Sequence, residues 1–143
     1  MMSTTNKNFE WCNYTLYFAW IVSMIATLGS LFFSETLGFV PCELCWYQRI
    51  MMYPLCIILG IATFYNEKNM KKYVLPISII GGSISLYHYA IQKFPSVSEI
   101  NPCVQGVPCN VDYINWFGFI TIPFLALIAF SFITLFMLLT RSN

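Results

Sequence analysis

The chain has 143 residues, 58% of them hydrophobic and only 9% charged, which leaves too little polar surface to keep a soluble domain of this size in solution. A membrane protein is therefore expected, as a single domain over residues 1–143 with no room for a separate soluble module. The net charge of +1 supplies neither a basic surface nor an acidic tail, so no nucleic-acid partner is expected.

Four stretches are long and apolar enough to cross a hydrocarbon core, which takes roughly twenty helical residues. The first, about residues 11–33, carries no charge between Glu10 and Glu35. It exceeds the short apolar core of a cleavable signal peptide, so a retained helix is expected. The others cover about residues 46–65, 73–91 and 116–139. Trp11, Trp46, Tyr65, Tyr73 and Trp116 mark span ends, as interfacial aromatic anchors do. Pro54, Pro76, Pro123 and Gly81-Gly82 fall inside spans. Bundled membrane helices tolerate such residues as kinks and close-packing points, and Gly60 and Ser85 suit the same close approach.

Orientation follows from the basic residues, because cytoplasmic loops carry an excess of Lys and Arg. Lys7, Lys68, Lys71, Lys72 and Arg141 fall on one side of a four-span chain, and only Arg49 and Lys93 towards the other. The expected fold is thus an all-α four-transmembrane-helix bundle with both termini cytoplasmic and two outward loops, about 34–45 and 92–115.

The outward loops hold Cys42 and Cys45 in the first and Cys103 and Cys109 in the second, on the side where disulfides form and persist. Cys12 and Cys56 lie elsewhere and are expected to be ordinary buried, reduced residues. Pro41-Cys42-Glu43-Leu44-Cys45 puts a Cys-x-x-Cys at the start of the second span. A helix N-terminus there offers unpaired N–H groups and positive dipole to a thiolate. Arg49 follows Cys45 by four residues, one turn along the same face. A membrane arginine on the side poor in basic residues calls for a functional partner rather than a snorkelling anchor. Prolines 102 and 108 with Gly106 constrain the second loop, so Cys103 and Cys109 stand within bridging reach. Alone that pair reads as a brace; beside a second pair in the same layer it reads as an exchange partner. His88, between Tyr87 and Tyr89 near the outward end of the third span, is placed either to bond a quinone oxygen and pass a proton or to sit as an interfacial residue.

With these motifs the chain resembles the DsbB family of disulfide-generating membrane proteins, over nearly its whole length. The likeness rests on four spans, Pro-Cys-x-x-Cys at 41–45, Gln48-Arg49 after it, His88, and Cys103 with Cys109 before the fourth span. It is nearest the short BdbC-like members of Gram-positive bacteria. The resemblance implies a multi-pass protein of the bacterial cytoplasmic membrane with its active cysteines on the extracytoplasmic side. Such a protein reoxidises an extracytoplasmic thioredoxin-like thiol oxidase (DsbA/BdbD-like) and passes electrons through two cysteine pairs to membrane quinone, menaquinone or ubiquinone. By position, Cys103 and Cys109 would face the partner, with Cys103 attacked first, and Cys42 and Cys45 the quinone. Arg49 matches the family's quinone-site arginine and His88 a quinone-proximal histidine. One departure is plain: proteobacterial members separate the second pair by a long segment, whereas five residues intervene here.

Within this scheme the helix start and Arg49 are expected to make Cys45 the low-pKa leaving thiol that delivers electrons to quinone. Two rivals predict different chemistry. A non-catalytic four-helix membrane protein would use its two disulfides as braces. A zinc site would use four thiolates, against which stand the oxidising compartment and the lack of a nearby outward histidine, so no metal ligands are assigned.

Overall fold

The structure, a computed structural model, describes residues 2–94, 96, 103, 106, 108, 109 and 117–140, with side chains for all of these but residues 2–9, Cys12 and Lys68. Among the described residues, four α-helices make up the fold: α1 Met2–Leu31, α2 Glu43–Tyr65, α3 Lys71–Lys93 and α4 Ile122–Leu139. All four are long and apolar enough to cross a membrane, α1 doing so from Asn13 through a wide turn to Thr36. The expected all-α four-helix bundle is what forms. Each helix packs on its chain neighbour, and α4 closes the ring against α1.

Leu16, Leu55, Leu59, Phe130, Ile133 and Met137 fill the centre. The outer surface is apolar too, with Ile25, Ile57, Phe64, Leu86 and Leu138 exposed. That is the surface lipid requires, and helix association then depends on close packing rather than on hydrophobic drive. Two glycines supply it. A Cβ on Gly60 would meet Trp20 Nε1 at 3.0 Å, and one on Gly81 would collide with the Phe130 ring. Helices α2 and α3 run on through Pro54 and Pro76.

Hydrogen bonds tie the two ends of the bundle. At one, Thr15 and Thr140 share a 2.8 Å hydroxyl bond and Lys71 Nζ donates to the Thr140 carbonyl at 2.7 Å. At the other, Lys93 Nζ donates to the Gly118 carbonyl at 2.7 Å and the Tyr89 hydroxyl to that of Phe119 at 3.3 Å. The chain therefore runs up, down, up, down, with the start of the first span and the end of the last at the same end.

Several boundaries differ from the sequence reading. The fourth helix begins at Ile122, not near residue 116, because Phe117 and Gly118 adopt positive φ (56° and 80°). Pro123 accordingly occupies the first turn of α4, a position that tolerates proline, rather than the middle of a span. The second helix starts earlier than residue 46, with Cys42 as its N-cap, so Cys45 lies in the first turn. Cys56 is half-buried, its thiol 3.3 Å from Met24 Sδ. Trp11, Trp46, Tyr65 and Tyr73 are all exposed, as anchors should be. The side chains of Lys7, Cys12 and Lys68, and residues Trp116 and Arg141, lie outside the described residues.

Candidate functional site

The site is built where α1 ends and α2 begins. From Phe32 to Thr36 the first helix widens into a π turn, and Gly38, at φ 66°, reverses the chain. This brings the Phe33 and Phe39 rings into a stack at 6.2 Å and leads Val40 and Pro41 back over the bundle. Cys42 then takes an extended conformation as N-cap, and its carbonyl accepts the first helical bond, from Trp46 N–H at 3.1 Å.

The Cys42 and Cys45 sulfurs are 3.0 Å apart. Cys103 and Cys109 are joined as a disulfide, with their Cα atoms 6.0 Å apart. Both pairs belong to one packed cluster: Cys42, Leu44, Ile91 and Cys109 are buried, with Cys45 and Cys103 against them. These four cysteines thus come together, although only Cys42 and Cys109 are interior to the cluster.

His88 joins them. It is 1% exposed, with Nε2 3.2 Å from the Cys109 carbonyl oxygen and 3.6 Å from Cys42 Sγ. A carbonyl only accepts, so Nε2 carries the proton. Nδ1 of the neutral ring is then an acceptor, and the Gln48 amide donates to it across 3.0 Å. One imidazole therefore spans the first cysteine pair and the backbone of the second. The sequence reading missed Gln48 as a site residue. Its signal was present, since a buried amide inside an apolar span needs a partner.

On the other side of Cys45 lies an apolar cavity of about 370 Å³ between α1, α2 and α4. Its walls include Phe33, Phe39, Met52 and Phe130, and its polar lining comes from Ser30, Cys45, Gln48 and Arg49. Arg49 is held at the rim: Nη2 donates to the Ser30 carbonyl at 3.1 Å, and the guanidinium lies 5.8 Å from the Trp46 ring centre. The one-turn spacing thus places Arg49 and Cys45 on the same wall, as anticipated. His88 is not on that wall. It meets Cys42 and the Cys109 backbone instead, and reaches the cavity wall only through Gln48.

Electrostatics separate the two thiols of the first pair. Cys42, just outside the membrane-spanning segment, is held well below the ordinary thiol range, chiefly by its hydrogen bond with the Cys45 thiol. Burial opposes this, and the hydrogen bond with His88 reinforces it. Sequence spacing had assigned the stabilised thiolate to Cys45. The hydrogen bonds with the Cys45 thiol and with the imidazole favour Cys42 instead. Cys42, Cys45 and His88 also form a group whose ligand atoms lie within 4.8 Å of one another, so the premise that no histidine stands near these thiols is corrected.

The chain is similar to known proteins over most of its length. Residues 13–140 match the family model for disulfide bond formation protein DsbB. Disulfide bond formation protein C of Bacillus subtilis is 65% identical over 128 residues, 90% of this chain and 93% of that protein. A probable disulfide formation protein C 1 of Bacillus cereus is 58% identical, covering 82% and 84% of the two chains. A probable disulfide formation protein of Coxiella burnetii is 43% identical, covering 89% and 87%. No solved structure matches the chain.

The Cys42 assignment has a direct consequence. In the reduced protein, thiolate absorbance should persist at about pH 6, where an ordinary thiol of pKa about 8.5 is protonated. Cys42→Ala should remove it, and His88→Ala should move the transition to higher pH. A single titration near the ordinary value in the unmutated protein would contradict the assignment.

Proposed function

The chain belongs to the DsbB family of disulfide bond formation proteins, and on that premise we propose that it is a protein dithiol:quinone oxidoreductase. It is a multi-pass membrane protein whose general role is to generate disulfides. Its proposed work is to reoxidise an extracytoplasmic thioredoxin-like thiol oxidase at the Cys103–Cys109 pair and to pass the electron pair through Cys42–Cys45 to menaquinone or ubiquinone. The observation that carries this reading is the position of Cys42–Cys45 between two neighbours. Cys45 lines the apolar cavity with Arg49, while Cys42 shares His88 with the Cys109 carbonyl.

Exchange proceeds through mixed disulfides, one sulfur at a time. A partner thiolate attacks Cys103, which is half-buried, whereas Cys109 is 1% exposed. The Cys103–Cys109 bond breaks and Cys109 leaves as the thiolate. The partner's second thiol then attacks the partner–Cys103 bond, so the partner departs oxidised and Cys103 is reduced. Cys109, in the same cluster as Cys42, attacks that sulfur of the Cys42–Cys45 disulfide, and Cys45 leaves towards the cavity. Cys103 then attacks Cys109, restoring the outer disulfide and releasing Cys42. The Nε2–H of His88 faces Cys42 and stabilises the thiolate so released.

The cavity residues fit a quinone: apolar walls suit its ring and tail, and Arg49 offers a fixed donor for a ring oxygen. Bound there, a quinone supplies a two-electron, two-proton acceptor. The chain's contribution is to hold Cys45 at the wall, to fix Arg49 through Ser30, and to exclude water with Phe33, Phe39 and Met52.

For orientation, Arg49 and Lys93 stand at the end of the bundle that carries the four cysteines, and Lys71 and Lys72 at the opposite end. The positive-inside bias then supports cytoplasmic termini, active cysteines on the extracytoplasmic face of a bacterial cytoplasmic membrane, and action as one domain.

Two outcomes are expected. A partner retaining only its attacking cysteine should accumulate a mixed disulfide, and peptide mapping should find it on Cys103; consistent trapping on Cys42 or Cys45 would reverse the electron path. Arg49→Gln should raise the apparent KM for quinone about ten- to hundredfold, the loss expected for one charged hydrogen bond. Single-turnover oxidation of the partner should be unchanged, and equal loss there would make Arg49 structural.

A further inference from the structure

We propose that the dithiol form of Cys42–Cys45, together with His88, is a binding site for a thiophilic metal cation, with Zn²⁺ the best-fitting divalent ion. The two sulfurs and Nε2 of His88 all lie within 4.8 Å of one another. Around a tetrahedral zinc, thiolate and imidazole ligands at about 2.3 and 2.0–2.1 Å stand about 3.6 Å apart. Cys42 Sγ and His88 Nε2 are 3.6 Å apart. Two thiolates on one zinc stand about 3.8 Å apart, so the sulfurs, now 3.0 Å apart, must spread by rotation of their side chains. The Cys109 carbonyl oxygen, 3.2 Å from Nε2, is close to the separation of about 3.4 Å that a fourth, oxygen ligand requires.

Charge and proton accounting favour the same ion. Two thiolates, a neutral imidazole and a divalent cation make a neutral cluster, which burial does not penalise as it would a lone charge. Binding releases the thiol protons and transfers the His88 proton from Nε2 to Nδ1. Nδ1 then needs an acceptor, and Gln48 supplies one by turning its amide to present Oε1. An amide serves either tautomer, which a carboxylate or a lysine in its place would not. The S₂N donor set prefers Zn²⁺ or Cu⁺ to Mg²⁺ or Ca²⁺. In the disulfide form both sulfurs are bonded to each other and neither is a thiolate ligand, so binding is confined to the reduced pair. A bound cation therefore holds that pair reduced and stops turnover, a consequence that rests on the relay proposed above; the binding itself does not.

The test uses the full-length chain, free of any histidine tag, carrying Cys103→Ser and Cys109→Ser. It is reduced with a phosphine under anaerobic conditions and titrated with Co²⁺ as the spectroscopic probe. A thiolate-to-cobalt charge-transfer band with tetrahedral d–d bands should saturate at one ion per chain and be displaced by Zn²⁺. The same protein oxidised to the Cys42–Cys45 disulfide should show neither band, a contrast that needs no further variant. His88→Ala and Gln48→Leu should each weaken binding at least about tenfold, with helix content retained. No charge-transfer band in the reduced protein would overturn the site, as would a band in the oxidised protein or undiminished affinity in folded His88→Ala. In the unmutated chain, Zn²⁺ should block partner-driven quinone reduction and a chelator should restore it. Quinone reduction by a chain that binds no metal would overturn the site and leave the relay standing.

Discussion

The arrangement depends on how a charged sulfur is kept at the edge of a membrane. A thiolate in a low-dielectric layer is costly unless donors face it. Cys42 answers that cost through the Cys45 thiol at 3.0 Å and through an imidazole at 3.6 Å. Those contacts fix the remaining geometry. His88 must point inward from α3, Gln48 must hold its far nitrogen, and the Cys109 backbone must approach closely enough to accept from Nε2. Cys45, one turn on, is left facing the opposite side, where the π turn of α1 and the folded-back Phe39–Pro41 segment enclose an apolar space.

Much of this was legible in the sequence. Four spans, their alternation and the gathering of four cysteines at one end follow from apolar run lengths and from where the basic residues fall. The shared wall of Cys45 and Arg49 follows from helical spacing alone. What could not be read were contacts between helices. Spacing along α2 says which residues share a face but not which neighbour meets it, so His88 was grouped with Arg49 at the quinone site although it meets Cys42 and the Cys109 backbone and is not on the cavity wall. The same limit concealed Gln48, whose partner is forty residues away. The late start of α4 was missed for a local reason: a positive φ at Phe117, not a glycine, has no signature in an apolar run. Cys42 rather than Cys45 as the stabilised thiolate depended on contacts with the Cys45 thiol and the imidazole that spacing along α2 does not show.

In the proposed relay one cysteine pair stands between an electron donor and an acceptor, which separates geometry from driving force. Thiol exchange between the two pairs is near balance unless their potentials differ, and about 30 mV shifts the equilibrium tenfold. Stabilising Cys42 as a thiolate favours the reduced form of its pair, which in the proposed relay would draw electrons inward from Cys103–Cys109, with their removal at the cavity completing the direction. On the proposed metal site, the same stabilisation would expose the reduced pair to capture by a thiophilic cation.

The most direct test of the central claim is anaerobic mixing of the purified protein with a reduced thioredoxin-like partner and a quinone, following quinone absorbance. The account predicts reduction of one quinone per partner disulfide formed, only when partner and protein are both present, and none with Cys42→Ser. Full partner oxidation with the quinone untouched, or quinone reduction that survives Cys42→Ser, would contradict it.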